Sequence, residues 1–379
     1  MSVQVSTRST TTNRHGWRHA TQRVVAIIPA HNEQATLPAT IRSLLIQTRP
    51  PDHIVVASDN STDATPQIAR SWGRKVQLFE TRDNRDRKAG ALNQVLEWID
   101  EPDDTWVLIV DADSVLSATF IETAIDAARQ PDVGAVGGTL VGDGRNGLLG
   151  AMQHLEFVRR ARGNGRAGGT AHVLTGPVTF IRLGLLREVK TARAEGRLPG
   201  SGIYDTSVLT EDFCLTMAVR SLGYRWITPR GCLVSTETMG TLGDLWRQRV
   251  RWQRGALQTL RNYGVNSTTL PYILRQVGTV VGLAGVVLMW IAILWWLGTG
   301  TLVIHPVWLG VGAVVQLSRL VSGWGSGWGG RFVAGTVLVD LAFDLFIGAV
   351  YVSSLVKTLR GSEPEWGTPS VDGLPREVS

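Results

Sequence analysis

Asp111 and Asp113 stand two residues apart, directly after the apolar run Trp106–Val110. Paired carboxylates just past a buried strand offer hard oxygen ligands to a divalent cation, leaving its other positions for phosphate and water. The same residues also suit a turn followed by a helix cap at Asp113 or Ser114. A second polar cluster, Ser58 to Asp63, follows the run ending Val55, Val56, Ala57. It can hydrogen-bond a nucleobase or ribose, or serve as an Asx turn and N-cap. Thr210, Glu211 and Asp212 open a helical pattern over Phe213–Leu222, where carboxylates also suit the positive end of the helix dipole. A cap explains one acidic cluster; it does not explain acid at the end of strand after strand.

The elements around these residues alternate. Strand-like runs at Val24–Pro29, His53–Ala57, Val76–Phe79, Trp106–Val110 and Val133–Gly137 are separated by helical patterns over Gln34–Gln47, Ala64–Trp72, Arg87–Ile99 and Ser117–Arg129. This rhythm predicts a doubly wound α/β sheet, whose ligands bind beyond the carboxyl ends of the strands. Residues 140–236 are less regular, with a helix expected near Leu148–Arg162 and strands at Val178–Arg182 and Arg225–Ile227. Cys214 and Cys232 lack metal-ligand spacing and read as buried thiols. Gly163, Gly165 and Gly168 fit GxGxxG but follow a helix, not a strand, so a loop is expected there and not a dinucleotide site.

Charge is scarce and unevenly spread. Charged residues make up 18% of the 379, against about 25% in a typical soluble chain. Between 272 and 356 the charges are Arg275, Arg319, Arg331, Asp340 and Asp344. Apolar segments at 273–297, 302–321 and 332–356 each approach the ~20 residues that cross a bilayer, which predicts three transmembrane spans. A disordered chain, a disulfide scaffold and an ordinary cytosolic enzyme are thereby excluded. The net charge of +6 is carried by arginine more than lysine and collects beside the apolar stretch. An anionic lipid surface suits it better than nucleic acid. The helical stretch Thr241–Tyr263 carries Trp246, Arg247, Arg249, Arg251, Trp252, Arg254 and Arg261. Indole rings and guanidinium groups on one helix predict an element lying at the membrane surface, its arginines meeting phosphates. Three spans starting on the cytoplasmic side put Lys357 and Arg360 outside, against the positive-inside tendency, unless one segment is re-entrant or interfacial. Asp340 and Asp344, one turn apart in the last segment, require protein, water or a cation such as Arg319 beside them. Helix pairing and a sugar path both account for them.

Read in order, IPAHNE (Ile28–Glu33), SDNSTD (Ser58–Asp63), KAGALN (Lys88–Asn93), DAD (Asp111–Asp113), TED (Thr210–Asp212) and QRVRW (Gln248–Trp252) resemble the family 2 inverting glycosyltransferases. The QxxRW motif ahead of apolar segments looks like the membrane synthases of cellulose, chitin, hyaluronan and poly-N-acetylglucosamine. The resemblance covers roughly residues 24–265 and implies a nucleotide-sugar-binding domain of the GT-A type. It divides the chain into a disordered leader (1–22), a cytoplasmic transferase domain (23–237), an interfacial helix region (238–265), transmembrane helices (272–357) and a polar tail (358–379).

The resemblance also assigns roles. Asp59, with the loop from Ala30 to Glu33, would read the uracil of a UDP-sugar; Lys88 would contact the nucleotide. Asp111 would lie near the ribose and the metal, and Asp113 would ligate Mg²⁺ or Mn²⁺ on the diphosphate. Asp212, beside Glu211, would be the general base; Gln248, Arg251 and Trp252 would sit where the surface helix meets the active site, Arg251 suited to the diphosphate and Trp252 to the acceptor sugar, with Thr175 and Gly176 lining the acceptor site. Implied partners are a UDP-sugar donor, a glycan or lipid acceptor and the bilayer of the cell membrane. These synthases commonly carry more spans than this sequence offers. A homo-oligomer, a membrane partner, or transfer of one or a few sugars to a lipid would reconcile the two. Outside enzymology, a channel or transporter with a nucleotide-sensing domain is the alternative.

Overall fold

The computed structural model describes residues 22–130, 132–142, 146–166, 173–300 and 306–362. The expected leader, apart from Gln22, and the tail beyond Ser362 lie outside the described residues, as does Gly168. The chain begins with the alternation read from its periodicity: β1 (Val24–Ala30), α1 (Leu37–Leu45), β2 (His53–Ser58), α2 (Thr65–Ser71), β3 (Gln77–Glu80), α3 (Arg87–Trp98) and β4 (Trp106–Val110). A short strand β5 (Val115–Leu116), helix α4 (Phe120–Ala127), strand β6 (Val133–Gly137) and strand β7 (Thr139–Gly142) follow. Then come α5 (Gly147–Arg166), β8 (Val178–Arg182), α6 (Leu183–Ala194), α7 (Glu211–Ser221), β9 (Arg225–Ile227) and β10 (Leu233–Thr236). Gly163 and Gly165 continue helix α5 instead of forming the expected loop.

The main sheet runs β3-β2-β1-β4-β8-β6-β9. β1 pairs in parallel with both β2 and β4, and β8 runs antiparallel between β4 and β6. Both faces are covered, so the central strands are apolar throughout and their two sets of alternate residues enter different cores. Val24, Ala26, Ile28, Trp106, Leu108 and Val110 pack with α1, α2 and α4. Val25, Ile27, Val107 and Ile109 pack with α3, α6 and α7. Trp106 stacks flat on Phe180 with ring centroids 4.7 Å apart. A small second sheet, β5-β10-β7, lies beside the mouth; strands so short leave no periodicity to read.

Helix α8 (Leu242–Tyr263) is well terminated: Thr241 Oγ1 accepts from the Asp244 N–H at 3.1 Å, and Gly264 ends it at φ +67°. Arg249 and Arg254 are buried, whereas Arg247 and Arg261 are exposed and Arg247 pairs with Asp244 at 2.5 Å; α8 packs between α7 and the C-terminal helices. Those are α9 (Leu270–Thr299), α10 (Pro306–Gly323), α11 (Gly327–Gly335) and α12 (Val337–Leu359). Among the described residues two of them, α9 and α12, are long and apolar enough to cross a membrane, not the three expected. The second expected segment, 302–321, lies partly outside the described residues, and α10 begins within it at Pro306. The last segment breaks at Thr336, which separates α11 from α12.

Candidate active site

The register of the parallel strands brings their carboxyl ends level, Ala30 opposite Ser58 and Ile27 opposite Ile109. Polar residues that follow β1, β2 and β4 therefore meet at one edge of the sheet. Asp59 is buried there, 7% exposed. Its Oδ1 accepts from Thr81 Oγ1 at 2.8 Å, Asn84 Nδ2 at 2.8 Å and Asn60 Nδ2 at 3.1 Å. Its backbone N–H donates to the Ala30 carbonyl at 2.8 Å. The Glu33 N–H donates to Thr65 Oγ1 at 2.8 Å, and Glu33 Oε2 accepts from Thr36 at 2.8 Å. Asn32 and Asn60 hold left-handed φ of 55° and 49°, a conformation asparagine tolerates and one that clusters at binding loops.

A charged cluster sits at the neighbouring strand end. Lys88 Nζ lies 2.5 Å from Asp111 Oδ1 and 3.4 Å from Glu211 Oε1. Burial opposes the lysine's charge, but Asp111, Glu211 and Asp212 outweigh it and hold the ammonium above its usual range. Strand β8 enters alongside, since the Asp111 N–H donates to the Pro177 carbonyl at 2.9 Å. That contact carries Thr175 and Gly176 to Asp212: a Cβ at Gly176 would stand 2.7 Å from Asp212 Oδ2. Asp212 Oδ1 accepts from the Phe213 N–H at 2.8 Å. Desolvation and the adjoining Glu211 push the Asp212 carboxyl up to about 6, while Lys88, the Phe213 N–H and Arg251 pull against them. Arg251 also weakens the charge of Arg87, second to the effect of burial, so α8 and the start of α3 face the same cleft.

Asp113 is pushed up to about 7 by desolvation, then by Asp111 and Glu33, with a smaller contribution from Glu237. The β5–β10 pairing, Ser235 with Val115, brings the chain that carries Glu237 beside the one that carries Asp113. Hard oxygen donors whose like charges repel one another fit a divalent cation. Among the described residues no three such side chains form a ready-made cage, so Asp113 and Asp111 would leave most of a cation's positions to ligands from outside the chain.

Gln248 and Trp252 are half-buried on α8, and the Arg249 guanidinium lies 4.3 Å from the Trp252 ring centroid. Sequence reasoning missed several residues that build the site. Asn84 ties Asp59 to the carbonyl of Arg87 at 2.8 Å, and Gly90 of the KAGALN run leaves it room: a Cβ there would be 2.0 Å from Asn84 Oδ1. Asn93 makes two 2.8 Å bonds to the backbone N–H and carbonyl of Tyr204, fastening the chain ahead of Thr210 to α3. Asn93 closes the KAGALN run already singled out and Asn84 stands four residues ahead of it, which was the available signal.

Residues 25–190 match the model of glycosyl transferase family 2. The chain carries a family 2 glycosyltransferase domain. The poly-beta-1,6-N-acetyl-D-glucosamine synthase of Staphylococcus epidermidis is 26% identical to it over 244 residues, 62% of this chain and 54% of that protein. The synthase of the same name from Staphylococcus aureus strain COL is 24% identical over 246 residues, 62% and 55% of the two chains. The chain thus spans about half the length of the curated relatives it matches. A mannosyltransferase from Pyrobaculum calidifontis, solved in complex with GDP-Man and Mn²⁺, matches 92% of this chain and 91% of its own with a TM-score of 0.60 at 20% identity, a likeness of fold. The glycosyltransferase domain accordingly has the GT-A-like α/β sheet expected of it. The motifs from Ile28 to Asp113 fall inside the matched span, and Glu211, Asp212, Gln248, Arg251 and Trp252 lie beyond it.

Proposed function

We propose that the chain is a membrane-bound, inverting glycosyltransferase that moves N-acetylglucosamine from its UDP donor to a growing glycan. The observation that carries this reading is the convergence of Asp212, Lys88, Asp111 and Gly176 at the carboxyl end of the sheet. Asp59 and the loop from Ala30 to Glu33 hold the nucleotide, and Lys88 and Arg251 meet the negative diphosphate. Asp212 takes the proton of an acceptor hydroxyl as that oxygen bonds to the anomeric carbon. The bond from that carbon to the diphosphate breaks on the opposite face, UDP leaves, and one displacement inverts the centre. Asp113 and Asp111 hold Mg²⁺ or Mn²⁺, which when bound neutralises charge on the departing diphosphate. Trp252 gives the acceptor a flat apolar face, with Thr175 and Gly176 beside it. Helices α9 and α12 lie in the cell membrane with the transferase domain on the cytoplasmic side, a reading their apolar surfaces support.

A lipid-linked acceptor is the second reading, favoured by the contact of α8 with α12 through Trp246 and Phe346, ring centroids 5.7 Å apart. The test is to screen UDP-sugars for UDP release by the full chain in detergent and then size the product. UDP-N-acetylglucosamine should be turned over into a product longer than the acceptor. Asp212→Asn should lower transfer by ~10²- to 10⁴-fold, the usual contribution of a general base, with UDP affinity kept. Retained transfer would remove Asp212 from this role, and solute flux without UDP release would point to a transporter.

A further inference from the structure

Arg249 lies between Gln248 and Arg251 on α8, three residues before Trp252 and on the same helical face. Its side chain is only 6% exposed, whereas arginine ordinarily keeps its head in water. Desolvating a guanidinium is costly unless its donors are engaged. Nη2 donates to Glu156 Oε2 of α5 at 2.8 Å, while Nε and Nη1 have no hydrogen-bond partner among the described residues. The remaining compensation is the indole of Trp252, whose centroid is 4.3 Å from the guanidinium carbon, a distance at which a flat cation is held by a ring face.

Glu156 is itself fixed. Its Oε1 takes Arg160 at 2.6 Å on the same helix. One turn along α5, Arg159 grips both oxygens of Asp340 on α12, at 2.9 and 2.8 Å. Little more than one turn of α5 thus joins the apolar helices on one side to Arg249 on the other. The next turn of α8 is set independently, where Gly255 packs so closely on Thr210 that a Cβ would be 2.3 Å from its Oγ1. With α8 unable to slide, the rotamer of Trp252 is what the Arg249 contact decides.

We propose that Arg249, clamped by Glu156, is a positioning residue that sets the pose of Trp252 for the acceptor. This rests on the reading of Trp252 as the acceptor's platform. The test uses the full chain in detergent, UDP-N-acetylglucosamine as donor and a β-1,6-linked N-acetylglucosamine pentasaccharide as the probe acceptor. Arg249→Lys keeps the charge but loses the flat fork, and Glu156→Gln keeps the shape but loses the charge. Each should raise the KM for the probe on the order of 3- to 30-fold, leave UDP affinity within about twofold, and have no added effect in a Trp252→Ala background. An acceptor-free measurement stands beside it. With 5-fluorotryptophan incorporated, the ¹⁹F resonance that Trp252→Phe removes should shift in both variants. An unmoved resonance, an unchanged acceptor KM, or a parallel loss of UDP affinity overturns the inference. If Trp252→Ala itself leaves the acceptor KM unchanged, the platform reading fails and takes the inference with it. If Trp252→Ala raises that KM while Arg249→Lys and Glu156→Gln do not, only the positioning role fails.

Discussion

At the scale of single residues the site is governed by crowding of like charge. Burial and then Glu211 hold the Asp212 carboxyl up to about 6, and in the role proposed for it a base must be unprotonated to act. Transfer should therefore fall as pH drops through about 6, and kcat/KM against pH should show that limb. Glu211→Gln removes the charge that raises Asp212, so the limb should move to lower pH; a limb that stays put or moves up would contradict the assignment. Gly176 offers a steric test of the same carboxylate. Gly176→Ala sets a methyl 2.7 Å from Asp212 Oδ2, and displacing a catalytic group by a fraction of an ångström costs ~10- to 100-fold in rate. The expected result is a fall in kcat with UDP affinity retained. The types and order of these acids were legible in the sequence, because carboxylates after apolar runs stand out. The closeness of Gly176 to Asp212 was not, since it depends on β8 running antiparallel beside β4 from residues far along the chain.

At the scale of elements, α8 decides how the acceptor side is built. Gly255 allows it to lie against Thr210; Gly255→Ala would place a carbon 2.3 Å from Thr210 Oγ1 and 2.6 Å from Cγ2. Overpacking of that kind costs about 1–3 kcal/mol, readable as a lower unfolding midpoint, and transfer should fall with it. The helix itself was clear from its pattern, and Thr241 marks its start. Its surroundings were not. An arginine-rich stretch beside apolar segments reads as a lipid-facing element, yet Arg249 and Arg254 turn inward because Glu156 of α5 and the Ser362 carbonyl receive them. Desolvation accordingly brings the Arg249 guanidinium down to about 10, with Glu156 opposing that shift.

At the scale of the whole molecule, an ion-pair network ties the transferase domain to the apolar helices. Asp340 is 1% exposed and is held by Arg159 of α5 and by Arg319 of α10 at 3.0 Å. Asp344, 46% exposed, takes Arg319 at 2.5 Å. Removing one partner of a buried pair costs about 3–5 kcal/mol. Asp340→Asn, which leaves Arg159 and Arg319 facing a neutral amide, should markedly lower the thermal midpoint of the full chain in detergent. An unchanged midpoint would argue against Asp340 as the tie between the two parts. Close packing adds to the same junction, with Leu155 of α5 buried against Val333 and Ala334 of α11.

The sequence by itself determined the alternation of strands and helices, the acids at the strand ends and the concentration of apolar residues toward the C-terminus. Each is written in local periodicity or in a short run, where neighbouring residues act together. Only the tertiary structure decided that Arg249 and Arg254 of α8 are buried, that among the described residues α9 and α12 have the length to span a bilayer, and that Asp340 meets an arginine of the transferase domain. Those outcomes depend on partners distant in sequence, and a charge's partner follows from where the fold carries it, which no local pattern encodes.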